Sequence, residues 1–148
     1  RESGVPTAHL SSLTHPSPSV LDESMSKHLA DKNVELVVLA GYMKRLGPCV
    51  LKDYRDRIIN VHPSLLPRHG GPGFYGSRVH KAVIESGDRE TGATVHLVNE
   101  DYDMGKALLQ EKITVNDNDS PDSLAKRLHP IEHKLLIEVI QQFAAEKR

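Results

Sequence analysis

Asn60 and His62 stand one residue apart at the end of an apolar segment, within the stretch Asn60-Val-His-Pro-Ser-Leu-Leu-Pro67. Residues at positions i and i+2 of an extended chain point to the same face of a sheet. An amide NH2 and a protonated imidazole that converge on one point are suitable donors to an oxygen that gains negative charge during a reaction at a carbonyl group. This triplet alone is a weak signal, because a single histidine at a strand end more often has a structural role.

An acidic turn further along the chain supplies a partner for His62. Asp103 lies in the stretch Asp-Tyr-Asp-Met-Gly that ends at Gly105. An imidazole with its ordinary pKa is mostly neutral at pH 7, so a nearby carboxylate is needed to favour the charged form. We therefore expect Asp103 to approach His62, favour its protonation and order a water that relays a proton. We expect His96 to lie beside this site in a structural role.

Two other motifs match a zinc-binding and a dinucleotide-binding pattern, but the residues around them do not support either function. His129-Pro-Ile-Glu-His133 matches a zinc-binding signature, but only fifteen residues follow in which a further ligand could stand, and Pro130 disturbs the helical turn. Gly71-Pro-Gly-Phe-Tyr-Gly76 has dinucleotide-binding spacing but does not follow a strand directly, so we interpret it as a glycine-rich loop. We expect Cys49 to be a packed residue and not a nucleophile. The sequence therefore predicts no metal site.

The elements that must position these residues alternate between helix and strand. Helices are predicted at about 21–32, 48–55 and 78–86, followed by a long C-terminal helix that Ser120 caps and Pro130 kinks. Strands are predicted at 34–41, 57–62, 93–98 and 107–115, and residues 1–10 have the pattern of a helix end followed by a short strand. The first two of the four strands are aliphatic and β-branched, which favours a parallel pair, buried on both faces and joined by a right-handed crossover. Residues 63–76 form a long loop.

Composition limits the classes of protein to which the chain can belong. A length of 148 residues predicts one domain, covering 1–148, and the net charge of −1 gives no general attraction to nucleic acid or anionic membrane. The single cysteine excludes an intramolecular disulfide and favours a reducing, cytoplasmic setting. The apolar runs are too short to cross a bilayer, and no signal-peptide pattern is present. We expect small-molecule partners, and the sequence does not indicate an oligomeric state.

Several segments together resemble the phosphoribosylglycinamide formyltransferase family. They occur in the family's order and are specific as a set: AGYMKRL, INVHPSLLP, TGATVHLV, DYDMG, and IEH in the last helix. The resemblance implies an α/β fold with a Rossmann-like open, mostly parallel sheet flanked by helices. It also implies formyl transfer from 10-formyltetrahydrofolate to the amine of 5-phosphoribosylglycinamide in purine biosynthesis.

The resemblance also implies roles for particular residues. Asn60, His62 and Asp103 fall on the family's catalytic positions. The folate-binding positions are Met43, Lys44, Arg45, Leu46 and Asn60, and the substrate-binding positions are Pro63 and Glu132. We expect Lys44 and Arg45 to meet the glutamate tail of the folate through local charge.

The chain also departs from the family pattern. The family's first strand and glycine-rich phosphate loop lie before Arg1, so we expect an N-terminally truncated domain that binds the ribonucleotide poorly. The loop between Arg68 and His80 is longer than is typical of the family. Three alternatives stay open: a formyltetrahydrofolate hydrolase, a methionyl-tRNA formyltransferase, and a folate-binding fragment without activity.

Overall fold

A mixed four-stranded sheet forms the centre of the protein. The computed structural model describes residues 4–101 and 103–146. The strands are β1 (Val37–Leu39), β2 (Ile58–His62), β3 (Glu90–Leu97) and β4 (Ala107–Thr114), and they lie in the order β1-β2-β3-β4. β1 and β2 are parallel, whereas β2–β3 and β3–β4 are antiparallel.

This arrangement confirms an open α/β sheet flanked by helices and corrects one detail of the prediction. Only one of the three pairings among the described strands is parallel, so the expectation of a mostly parallel sheet is wrong for this part of the chain. The connection between β3 and β4 covers residues 98–106. It is too short for the crossover that a parallel pair requires, and the two strands therefore form a hairpin.

The strand β1 is shorter and less buried than its aliphatic sequence predicts. It covers three residues, all partly buried, instead of the predicted 34–41 buried on both faces. β1 is paired only with β2 among the described strands, so one of its edges lacks a neighbour to cover it. Residues 4–10 form no regular structure, which contradicts the short strand predicted there, and residues 1–3 lie outside the described residues.

The described part of the chain contains four helices beside the sheet, and three of them begin with proline. They are α1 (Pro18–Asp31), α2 (Pro48–Asp53), α3 (Ser77–Glu85) and α4 (Pro121–Ala145). Proline suits the first helical position because the N–H that it lacks would have no partner within the helix. Ser120 caps α4, as predicted, and its side chain and that of Ser123 bond reciprocally to backbone N–H groups. α4 continues through Pro130 as one helix.

The long helix α4 covers one face of the sheet and joins it to α3. Leu135 and Val139 of α4 pack with Ile59 of β2 and with β3, whereas Leu124 and Leu128 pack against Val83 of α3. The apolar residues of α4 recur at intervals of three to four along the helix, and each is either buried or packed against the buried core: Leu124, Leu128, Ile131, Leu135, Val139 and Phe143. This packing places α4 beside the carboxyl end of β2.

A buried carboxylate fixes the short helix α2 and the turn before it. Asp22 of α1 is 4% exposed and accepts hydrogen bonds from the backbone N–H groups of Cys49 (2.7 Å) and Val50 (3.2 Å). Side chains that accept from the first turn of a helix satisfy donors that have no partner within the helix. A Cβ atom on Gly47 would lie 2.2 Å from the Asp22 carboxyl carbon, so only glycine fits there. The turn 41–47 is thereby tied to α1.

Candidate active site

The register of the central strands brings Asn60 and His62 opposite two other polar residues. In the antiparallel β2–β3 pair, Asn60 lies across from His96 and His62 lies across from Thr94. The β3–β4 register shifts between Val95 and His96, as it does at a β-bulge. Bulges often occur beside active sites because they change the direction of a side chain. The sheet therefore gathers an amide, two imidazoles and a hydroxyl at the carboxyl end of β2.

His96 determines how the Asn60 amide is oriented. The Nδ1–H group of His96 donates to the Leu97 carbonyl (2.9 Å), which leaves Nε2 of the ring on the side of Asn60. Asn60 Nδ2 lies 3.2 Å from that Nε2 atom and donates one of its hydrogens to it. The amide nitrogen keeps its second hydrogen for another acceptor. His96 therefore contacts Asn60 and itself lines the cavity, and its structural role stays a prediction.

Both ring nitrogens of His62 face oxygen atoms. Nε2–H donates to the main-chain carbonyl of His69 (2.8 Å), and Nδ1 lies 3.6 Å from Oδ2 of Asp103. The predicted approach of Asp103 to His62 is therefore present. The longer distance exceeds a hydrogen bond, so the well-formed contact of the ring is the one to His69.

The pKa of His62 departs from expectation. Burial lowers it below its ordinary value of 6.5, and this effect outweighs Asp103 and the His69 carbonyl, which both raise it. His62 is only 4% exposed, and removing an imidazolium from water is unfavourable. The expectation that Asp103 keeps His62 protonated is wrong for this structure. The resting ring is neutral, with its proton on Nε2.

Asp103 connects three parts of the site. Its Oδ2 accepts from the backbone N–H of Gly71 (2.9 Å), and its Oδ1 lies 3.5 Å from Nε2 of His96. Burial alone would raise the pKa of Asp103, but its hydrogen-bond contacts, among them the N–H group of Gly71, lower it below the ordinary value. Asp103 therefore carries a negative charge at neutral pH. It holds the loop after β2 against the turn after β3.

Buried Thr94 holds the turn Ser64–Pro67 against the sheet. Its hydroxyl donates to the Ser64 carbonyl (2.7 Å) and accepts from Leu66 N–H (3.1 Å). Gln110 Nε2 donates to the same oxygen (2.7 Å). Only Pro63 separates this turn from His62, so these hydrogen bonds fix where the loop to His69 starts.

These residues line a cavity of about 440 Å³. Its walls come from the turn after β1, the end of β2, the loop before α3, the turn after β3 and the first half of α4. All residues that the sequence predicted for the site line it: Met43, Lys44, Arg45, Leu46, Asn60, His62, Pro63, Asp103 and Glu132. The volume is within the range of small-molecule pockets.

The predicted folate-binding turn and Glu132 form other parts of the wall. Met43 is 61% exposed, and Arg45 donates to the carbonyl of Glu100, which ties this turn to the one after β3.

Burial raises the pKa of Glu132, and the charges of His129 and His133 lower it to a smaller extent. The rings of His129 and His133 lie 4.6 Å apart. No group of three or more metal-binding side chains occurs within residues 4–101 and 103–146.

The sequence did not single out several residues of this wall. Phe74 and Tyr75 belong to the glycine-rich loop, and both line the cavity although they are 37% and 45% exposed. His80 of α3 also lines it, is 6% exposed, and has a pKa lowered by burial. His69, which binds His62, carried no pattern beyond its place in a long loop. Two adjacent aromatic residues within a glycine-rich loop were the available signal for Phe74 and Tyr75.

Comparison with known proteins gives the family. The model of the formyl transferase family matches residues 1–140. A chloroplastic phosphoribosylglycinamide formyltransferase of Arabidopsis thaliana is 46% identical over 88% of this chain and 44% of its own length. Phosphoribosylglycinamide formyltransferase of Escherichia coli strain K12 is 35% identical over 97% of this chain and 66% of its own length. The chain thus spans less than half of the plant relative.

Solved structures give the same result. Glycinamide ribonucleotide transformylase 1 of Symbiobacterium toebii superposes with a TM-score of 0.90 at 32% identity, over 98% of this chain and 66% of that one. A formyltetrahydrofolate deformylase of Pseudomonas syringae gives a TM-score of 0.79 at 25% identity, over 93% of this chain and 44% of that one. No described helix is both long and apolar enough to span a bilayer. With a family match over nearly its whole length, this chain belongs to the formyl transferase family.

Proposed function

We propose that this chain carries the folate site and the catalytic residues of a phosphoribosylglycinamide formyltransferase. The reaction transfers a formyl group from 10-formyltetrahydrofolate to the amine of 5-phosphoribosylglycinamide. One observation supports this above all: Asn60, His62 and Asp103 meet at one wall of a cavity that also contains the turn 43–46 and Glu132. These are the positions that the family resemblance selects for catalysis, folate binding and substrate binding.

The neutral state of His62 defines its part in the reaction. The amine nitrogen attacks the formyl carbon, and the formyl oxygen becomes an oxyanion. The second N–H of Asn60 donates to this oxyanion, and Nδ1 of His62 accepts the proton that the amine loses. Asp103 stabilises the resulting imidazolium. The bond from the formyl carbon to N10 of the folate then breaks, and the proton passes from His62 to N10, so the enzyme returns to its starting state.

The remaining wall residues would bind the two substrates. Met43 and Leu46 provide apolar contact for the folate, and Lys44 and Arg45 provide positive charge for its glutamate tail. Glu132 and Pro63 would contact the glycinamide part of the acceptor. No step of this reaction needs a metal ion.

Two further expectations belong to the proposal. We propose that residues 1–148 form one domain. We also propose a cytoplasmic location, on the ground of the single cysteine, although the Arabidopsis relative is named as a chloroplastic protein. Imaging of the tagged protein in its own cells would test the location.

Acceptor dependence tests the function. The protein, purified from its complete reading frame, is incubated with 10-formyltetrahydrofolate alone, with 5-phosphoribosylglycinamide, or with methionyl-tRNA, and release of tetrahydrofolate is measured. We expect release only with 5-phosphoribosylglycinamide, together with formylation of its amine. Equal release without acceptor would instead support the deformylase activity named for the Pseudomonas syringae neighbour. Release only with methionyl-tRNA, or none with any acceptor, would also contradict the proposal.

A further inference from the structure

His62 is held more firmly at one ring nitrogen than at the other. The contact from Nε2 to the His69 carbonyl measures 2.8 Å, whereas Nδ1 is 3.6 Å from Asp103. A carbonyl oxygen can only accept, so this contact keeps the proton of a neutral ring on Nε2. Nδ1 then has a free lone pair on the side of Asp103. The position of one main-chain carbonyl therefore decides which nitrogen of His62 is available as a base.

The residue that supplies this carbonyl has an unusual backbone. His69 has a φ of +51°, a left-handed conformation that few residues other than glycine adopt. Such conformations persist where the surrounding structure holds them. The hydrogen bond from Gly71 N–H to Asp103 holds the loop on one side of His69.

Asp88 holds His69 itself. Nε2–H of the His69 ring donates to Oδ2 of Asp88 (2.6 Å), and both side chains are largely buried. The hydrogen bond from His69 is the largest influence on the pKa of Asp88 and lowers it, so the carboxylate is ionised at neutral pH. Arg68 also contacts Asp88, but the Arg68 side chain is 60% exposed. Exposed ion pairs contribute little.

Asp88 stands outside the cavity, in the short connection between α3 and β3. Both of these elements contribute fully buried residues, among them Val83 of α3 and Val95 of β3. A carboxylate in this connection is therefore fixed relative to the sheet that carries His62. This gives a continuous path from the core to the imidazole through Asp88, the His69 ring and the His69 carbonyl.

We propose that Asp88 is a positioning residue for His62: by holding the His69 ring it fixes the His69 carbonyl on Nε2 of His62 and leaves Nδ1 toward Asp103. This proposal rests on the proposed function for the chemistry that Nδ1 performs. Groups that orient an imidazole through its other nitrogen are known from metal sites. Their mutation there lowers metal affinity or activity by about 10- to 100-fold.

The test compares Asp88→Ala with the wild-type protein by two measurements. Nitrogen NMR of the His62 ring reports which nitrogen carries the proton, and it needs no substrate. We expect the wild-type ring in the Nε2–H form and a mixture of the two neutral forms in Asp88→Ala. In formyl transfer, we expect kcat to fall about 10- to 100-fold with KM changed less than threefold, because the variant alters the base and not the binding walls.

Three further variants separate positioning from a general loss of structure. Asp88→Asn still accepts from the His69 ring, so we expect it to keep the Nε2–H form and most of kcat. His69→Ala retains the main-chain carbonyl but loses the contact with Asp88, and should behave like Asp88→Ala. Arg68→Ala removes only the exposed partner of Asp88, and should behave like wild type. If Asp88→Ala does not fold, His69→Ala provides the same comparison.

Two results would overturn the proposal. One is an Nε2–H ring of His62 that persists in both Asp88→Ala and His69→Ala. The other is a loss of kcat in Asp88→Asn as large as that in Asp88→Ala, because charge and not positioning would then be responsible. If the protein shows no formyl transfer at all, the proposed function fails, and the NMR comparison still decides the role of Asp88.

Discussion

At the scale of single residues, His62 illustrates how burial competes with a nearby charge. Asp103 favours the imidazolium, but the ring is 4% exposed and the loss of hydration has the larger effect on its pKa. A neutral His62 can accept a proton from an amine, which a ring already protonated cannot do. The same burial strengthens the attraction between Asp103 and the imidazolium once it forms.

The pH dependence of catalysis tests this state of His62. In the proposed mechanism the neutral ring is the active form and its pKa lies below 6.5, so kcat/KM should fall to half of its plateau value only at a pH below 6.5. It should decrease at lower pH as the free ring becomes protonated. Steady-state assays between pH 4.5 and about 8 measure this. A decrease that is already half complete above pH 6.5 would show that the pKa of His62 is not lowered.

The sequence predicted which residues form the site better than it predicted their protonation. Asn60, His62 and Asp103 line one cavity as expected, because the alternation of a strand and the hairpin connection between β3 and β4 are local features. The protonation of His62 was not predictable from the sequence. It depends on burial by residues distant along the chain. His69 and Asp88 were missed for the same reason, since only the folded loop brings them to His62.

At the scale of elements, β3 and the turn Ser64–Pro67 are joined through one hydroxyl. Thr94 is fully buried and takes part in hydrogen bonds with Ser64, Leu66 and Gln110. Thr91 lies on the same strand and is 2% exposed, yet its hydroxyl has no hydrogen-bond partner among the described residues. The two threonines therefore provide a matched comparison within one strand.

Replacing each threonine by valine should give opposite results. Thr94→Val leaves buried groups of the turn without partners, so we expect the free energy of unfolding to decrease by about 1–3 kcal/mol. Thr91→Val removes a hydroxyl that is buried without a partner, and should leave stability unchanged or increase it. Chemical denaturation of both variants measures the difference. Equal losses would show that the hydroxyl of Thr94 has no special role in holding the turn.

Element boundaries were predictable where local chemistry sets them. Proline at the first helical position and Ser120 as a cap located the starts of α2 and α4. The aliphatic run 34–41 did not reveal that β1 has only three residues, since the extent of a strand depends on its neighbours. The antiparallel pairing of β2 with β3 was also missed, because nothing local marks the direction in which a strand returns after a helix.

At the scale of the whole molecule, buried ionisable groups make stability depend on pH. Burial lowers the pKa of both His62 and His80. The contacts of Asp103 and Asp88 lower their pKa values below 3.8. The histidines thus bind protons more readily in the unfolded chain, and so do the aspartates. For both types of group, the stabilisation is fully present at a pH above the pKa of the group in the unfolded chain. It is lost as the pH decreases through the pKa of the group in the folded protein.

The free energy of unfolding should therefore decrease in two stages on acidification. The first begins as the pH falls below about 6.5, where the unfolded histidines take up protons. The second begins below about 3.8, where the aspartates do so. Each fully titrating group contributes up to about 1.4 kcal/mol per pH unit within its window. Denaturation at a series of pH values measures this, and a constant value between pH 7 and about 5 would contradict it.

The central claim is that formyl transfer takes place in the cavity at the end of β2, where the Asn60 amide donates a hydrogen bond to the oxyanion. The turnover of Asn60→Ala tests this claim most directly. Removal of one such donor commonly lowers kcat by about 10²–10³-fold. We predict a decrease of that size for Asn60→Ala, with KM little changed. The exposed Asn116, which lies outside the cavity wall, provides the control, and Asn116→Ala should be as active as wild type. An Asn60→Ala protein that is folded and keeps most of the wild-type kcat would contradict the account.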